Sequence, residues 1–210
     1  FNHRTFAMGT LVAFTYGIAL FGSTYLIPVY LQLGLGLSPS HVGTLMLPAG
    51  LVLAVTIAVV GRYSSTHPTH ILVSVGLTLL SLSFALMCIV NLQTALWVLV
   101  ALAILGRIGL GFVLPSLNIG AMRSLDKQMI PQGASAINFL RMLGGAAGVS
   151  LCGILLEWRL AAHGDTLTNT HTSMARLAAF DEVFLLLAAI CALAMLAAWK
   201  IRDHAQTARP

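Results

Sequence analysis

Apolar residues run for about 20 positions at a time along this chain, and five polar stretches interrupt them: "GLGLSPS", "RYSSTHPTH", "NLQT", "RSLDKQMIPQ" and "RLAAHGDTLTNTHTSMARLAAFD". A helix rises 1.5 Å per residue, so about 20 apolar residues cross roughly 30 Å of hydrocarbon. The pattern predicts six membrane-spanning helices, over residues 7–31, 41–61, 70–90, 94–118, 133–156 and 182–200. No connection between them is long enough to be a separate domain. Residues 1–210 therefore read as a single all-α, polytopic six-helix bundle.

Composition agrees. The chain is 58% hydrophobic and 8% charged, where a soluble domain carries about 25% charged residues. Too few charged side chains are present to cover a water-facing surface, so a soluble protein is excluded. Cys88, Cys152 and Cys191 fall in apolar segments and read as small packing residues, not as a disulfide framework. The chain opens on "FNHRTFAMGT", without an initiator Met and without a secretory signal, and is expected to start partway through a longer protein.

The positive-inside rule orients the bundle. With the N-terminus in the cytoplasm, that side receives Arg4, Arg62, Arg123, Lys127, Lys200, Arg202 and Arg209, and the other only Arg159 and Arg176. Both termini are thus expected in the cytoplasm. The net charge of +5 is a topology signal; no basic stripe points to nucleic acid.

Two cations remain at membrane depth, Arg107 in the fourth segment and Arg141 in the fifth. Arg107 lies roughly 20 Å of helix from water on either side. Exposing it to lipid costs about 2.5–3.5 kcal/mol or more, so it should face protein or a water-filled cavity. Asn138, Arg141, Gly145, Gly148 and Cys152 form one stripe at helical spacing, with Gly144 and Gly148 as a GxxxG pair beside it. Arg107, Gly111 and Asn118 repeat the theme, with Pro115 as an expected kink. Either the arginines serve a cavity or they bond carbonyls between packed helices. The first segment adds hydroxyls and aromatics, Tyr25, Tyr30 and Gln32 among them, which suit either a wall for amphipathic molecules or anchors at the interface. The third and sixth segments carry no charge in their apolar runs and read as lipid-facing.

No Asp or Glu is expected in the interior of an apolar segment, the acids standing near or beyond the segment ends or in the cytoplasm, so no proton-coupling site is evident. His67 and His70 read as loop histidines, not as metal ligands, and no cofactor is expected. "GVSLCG" around Ser150 misses the Gly-x-Ser-x-Gly spacing and no His-Glu-x-x-His occurs, so an enzyme is not expected.

Three stretches carry a family resemblance. "YLIPVYLQLGLGLSPSHVGTLMLPAG" (25–50), "GRIGLGFVLPSLN" (106–118) and "PQGASAINFLRMLGGAAGVSLCG" (131–153) resemble the first-to-second helix link, the fourth helix and the fifth helix in the C-terminal half of a major facilitator superfamily transporter. The branch is that of the fourteen-helix drug-proton antiporters, the EmrB/QacA-type multidrug exporters. One departure stands out: the loop "GRYSSTHPTH" keeps Gly61 but has Ser65 where the family carries an acid.

The resemblance implies a half-bundle whose helices one, two, four and five line a central cavity, and whose halves rock to expose a midplane site alternately. It also implies proton-driven export of small amphipathic compounds across the bacterial inner membrane, with coupling carboxylates mainly in a missing N-terminal half. Arg107 and Arg141, and more weakly Asn118, Asn138, Tyr25 and Gln32, are the cavity candidates; Gly111, Gly144, Gly145 and Gly148 are the close-packing ones. The expected partners are the lipid bilayer, the missing half or a second copy of the chain, substrate and protons. The alternatives are a truncated membrane protein without transport of its own, and a half-transporter that acts only as a dimer.

Overall fold

Six α-helices fall on the six apolar segments in the computed structural model, which describes residues 4–64, 67–122, 125–167 and 173–200. They are α1 (Arg4–Val29), α2 (Pro39–Tyr63), α3 (Thr69–Met87), α4 (Leu96–Met122), α5 (Ile130–Ala162) and α6 (Met174–Lys200). A π-helical turn, Tyr30–Gly34, prolongs α1, and a 3-10 turn, Lys127–Met129, leads into α5. Each of the six is long and apolar enough to cross a membrane. The chain is an integral membrane protein. Ser65 and the loop cations Arg123, Arg202 and Arg209 lie outside the described residues.

Local chemistry explains the helix ends. Ser38 caps α2 by accepting the His41 N–H at 3.4 Å, with Pro39 as the first helical residue, where its missing N–H costs nothing. At the end of α5, Gly164 takes φ +72°. Its N–H bonds the Ala161 carbonyl at 3.0 Å and the Asp165 N–H bonds the Leu160 carbonyl at 2.9 Å, so two orphan carbonyls are satisfied. A Cβ at Gly164 would meet nothing within 4 Å, so only the backbone conformation disfavours a side chain. Gly164→Ala should therefore cost about 1 kcal/mol, read as a shift in denaturant midpoint.

Two helices reach beyond their apolar runs. α5 covers Ile130–Ala162 instead of 133–156, and α6 begins at Met174 instead of 182. The charges of "MARLAAFD" mimic a loop, but here they are held inside the bundle. Arg176, 1% exposed, donates from Nε to Asp165 Oδ2 at 2.8 Å and from Nη2 to Asp165 Oδ1 at 3.0 Å. Its other bonds reach the carbonyls of Leu33 (3.0 Å) and Thr166 (2.8 Å). The Leu33 carbonyl, left open at the end of the π turn, is thereby capped by a side chain of α6. The longer α6 also corrects the expectation that no acid lies within a span: Asp181 and Glu182 are both inside it.

α1 is the central helix. It packs mainly on α5, with α6 and α4 beside it; α3 joins α4 to α6, and α2 leans on α4. Lipid offers no hydrophobic drive for helix pairing, so close approach through small residues has to supply the contact. On the α1–α5 seam a Cβ at Gly17 would stand 2.0 Å from the Arg141 carbonyl oxygen, and one at Gly144 2.1 Å from that of Phe14. Gly148 meets Ile18 in the same way. Gly76 and Gly109 make an equally tight crossing of α3 and α4 that the sequence reading did not single out. Exposure is uneven: 61% of the apolar window of α1 is buried, but only 11% of that of α2 and 28% of that of α5. α2 and α5 thus present the barest faces, with Leu47, Leu51, Val55, Phe139, Met142 and Ile154 outward.

Candidate functional site

The site is built on α1. Four of its hydroxyls turn back on their own helix: Thr10 to Ala7, Thr15 to Leu11, and Ser23 and Thr24 both to Leu20. Tyr16, on the same helix, is buried at 1% exposure. The two membrane-depth arginines flank α1 at different heights: Arg107 of α4 reaches Thr24, whereas Arg141 of α5 packs its backbone on Gly17 and turns its side chain back to Asn138.

Each guanidinium has a single neutral partner among the described residues. Arg107 donates from Nη1 to Thr24 Oγ1 at 3.3 Å, and Arg141 from Nη2 to Asn138 Oδ1 at 2.5 Å, one turn earlier on its own helix. Neither has a carboxylate within ion-pair distance among the described residues. The arginines near the other end of the bundle differ. Arg176 holds Asp165, and Arg159 pairs with Glu182, to which His163 also reaches at 3.7 Å. Arg107 and Arg141 are half-buried, so they are not sealed in a core.

The other candidates spread along the same wall. Tyr25 is half-buried on the α1–α5 seam, its hydroxyl beside Gly153. Gln32 is half-buried in the π turn; Asn138 is exposed next to Arg141, and Asn118 is exposed toward the far end of α4. Gly144, Gly145 and Gly148 face α1, whereas Gly111 faces Thr56 of α2. Sequence reasoning missed Thr24 as the partner of Arg107, since periodicity within one helix does not reveal which helix lies opposite. It also missed a second polar cluster, where the buried Tyr30 hydroxyl and Asp181 Oδ1 have no hydrogen-bond partner among the described residues, and where Cys88 Sγ donates to the Asp181 carbonyl at 3.3 Å.

Known proteins match this sequence. The sequence profile described as Major Facilitator Superfamily matches residues 1–149. A multidrug transporter protein, MdtP, of Bacillus subtilis is 28% identical over 80% of this chain and 31% of its own length. The methylenomycin A resistance protein of Streptomyces coelicolor is 26% identical over 75% of the chain and 33% of its own length. For the colistin resistance protein EmrB of Acinetobacter baumannii the figures are 25%, 82% and 34%. The chain thus spans about a third of the length of the curated relatives it matches.

Proposed function

The chain belongs to the major facilitator superfamily, and from that premise we propose that it supplies the C-terminal six helices of a secondary transporter that exports small amphipathic compounds in exchange for protons. The observation that carries this reading is that Arg107 and Arg141 stand half-buried at membrane depth without a carboxylate partner among the described residues, beside two helices with bare apolar faces. Such cations suit a cavity completed by other helices. The exposed faces of α2 and α5 are where a second half would pack, and rocking of two such halves gives alternating access. The names of the relatives, which refer to multidrug transport and to resistance, support export of foreign compounds. The loop charges support cytoplasmic termini, in a bacterial inner membrane.

A tag after Pro210 tests the half-transporter reading. The native product in its own membranes should run at more than twice the 22.2 kDa of this chain. Everted vesicles from those cells should accumulate ethidium when energised and release it on addition of an uncoupler. Arg107→Leu should slow that accumulation about tenfold, equivalent to 1.4 kcal/mol, with normal amounts of protein inserted. Undiminished transport would make Arg107 structural glue. A product at the mass of this chain alone that moves no dye would favour a truncated protein, and one that moves dye would favour a dimer of halves.

A further inference from the structure

We propose that Asp181 is a proton-binding site of the bundle, its carboxyl held as the neutral acid where α1, α3 and α6 meet at the end opposite the two termini. Side-chain geometry carries that inference, and its use in antiport rests on the transporter reading. Asp181 lies roughly 10 Å along α6 from Met174. Cys88, at the end of α3, donates from Sγ to the Asp181 carbonyl at 3.3 Å. Tyr30, which follows α1 and is 0% exposed, sets its ring edge-on against Phe180 and Phe184, at centroid distances of 5.3 and 5.6 Å. Three helices thus close around the turn of α6 that carries this acid.

Two polar atoms are shut inside that packing without a hydrogen-bond partner among the described residues, Asp181 Oδ1 and the Tyr30 hydroxyl. Neither has exposed surface, so helices added from outside supply no donor to them without breaking the packing. A charged carboxylate oxygen is costly to bury in this way. A bound proton removes the charge and gives the carboxyl an O–H of its own. The titratable groups nearby do not offset that cost. Cys88 spends its S–H on carbonyls, those of Phe84 and Asp181. On α5, Arg159 and His163 both turn to Glu182, the next residue of α6. Adjacent acids therefore have opposite settings: Glu182 holds a cation, whereas Asp181 has a phenol and two phenyl rings beside it. Such a divergence separates a group that stays charged from one that exchanges a proton. Asp181 is half-buried as a whole, so its carboxyl is not sealed from that exchange.

The native product, purified through the tag after Pro210, is treated with dicyclohexylcarbodiimide, which adds to protonated carboxyls in apolar surroundings, and is then digested for mass spectrometry. Asp181 should be labelled about tenfold more than Glu182 or Asp165, and the label should fade as pH rises from about 6 to about 9. Asp165→Asn removes a carboxylate that Arg176 holds charged and should lower the dodecyl sulfate unfolding midpoint. Asp181→Asn, a neutral stand-in for the acid, should leave the midpoint in place. Equal labelling of the three acids, a label insensitive to pH, or no label at Asp181 overturns the proton site and leaves the transporter reading standing. A midpoint lowered as far by Asp181→Asn as by Asp165→Asn overturns it as well. In everted vesicles Asp181→Asn should slow energised ethidium accumulation about tenfold. Unchanged accumulation, with the label in place on the unaltered protein, overturns the role in antiport and keeps the proton site. Failure of the unaltered protein to accumulate dye overturns the transporter reading, while the labelling still decides the site.

Discussion

Arg176→Ala should destabilise the folded protein by about 3–5 kcal/mol, because it leaves the Asp165 carboxylate buried without its cation. Asp165 is 7% exposed and Arg176 1%, so water cannot replace the missing partner without opening the α5–α6 connection. The loss also removes the donor to the Leu33 carbonyl, which untethers the end of the π turn from α6. Unfolding of the purified protein by increasing sodium dodecyl sulfate, followed by helicity, reads the difference directly. Arg159→Ala is the comparison: its pair with Glu182 is about a third exposed, so its loss should cost no more than about 1 kcal/mol. A double variant, Arg176→Met with Asp165→Leu, should recover much of the stability, since an apolar pair of similar volume avoids the buried charge. If the single variant lost under about 1 kcal/mol, burial of the pair would not carry the stability assigned to it.

Gly144→Ala should be nearly as damaging, at about 3 kcal/mol, the upper part of the range for overpacked cores. The new methyl would lie 2.1 Å from the Phe14 carbonyl oxygen, and its other near neighbours, at 2.8 and 3.0 Å, are also main-chain atoms of α1. Main chain cannot rotate away as a side chain does, so the two helix axes have to separate. Gly17→Ala meets the same obstacle from the opposite side, at 2.0 Å from the Arg141 carbonyl oxygen. The same unfolding assay supplies a control in Gly43→Ala and Gly50→Ala of α2, where nothing lies within 4 Å. These should leave stability unchanged or raise it by up to about 1 kcal/mol, as alanine favours helix over glycine. Equal losses at all four positions would mean that helix contact does not set the cost.

The six helices were legible because lipid forces each span to be long and apolar. The start of α6 was not, since Arg176, Asp181 and Glu182 read as loop charges until their places within the bundle are known. Gly144, Gly145 and Gly148 announced a close approach on α5 from spacing alone, yet not that Phe14, Gly17 and Ile18 would be what approaches. Cations at membrane depth were equally plain, because their cost is a property of position. Thr24 stayed hidden as the partner of Arg107, since nothing in the order of residues ties position 24 to position 107.

The order of synthesis gives the self-bonded hydroxyls of α1 a further meaning. α1 is the most buried of the six helices once the bundle is complete, yet its main neighbour α5 is made about 100 residues later. At about 5–20 residues per second this helix waits on the order of 10 s for its partner. During that interval Thr10, Thr15, Ser23 and Thr24 need nothing from outside, because each already bonds a carbonyl of the preceding turn. The newborn helix can rest in lipid until the glycines of α5 arrive to cover it.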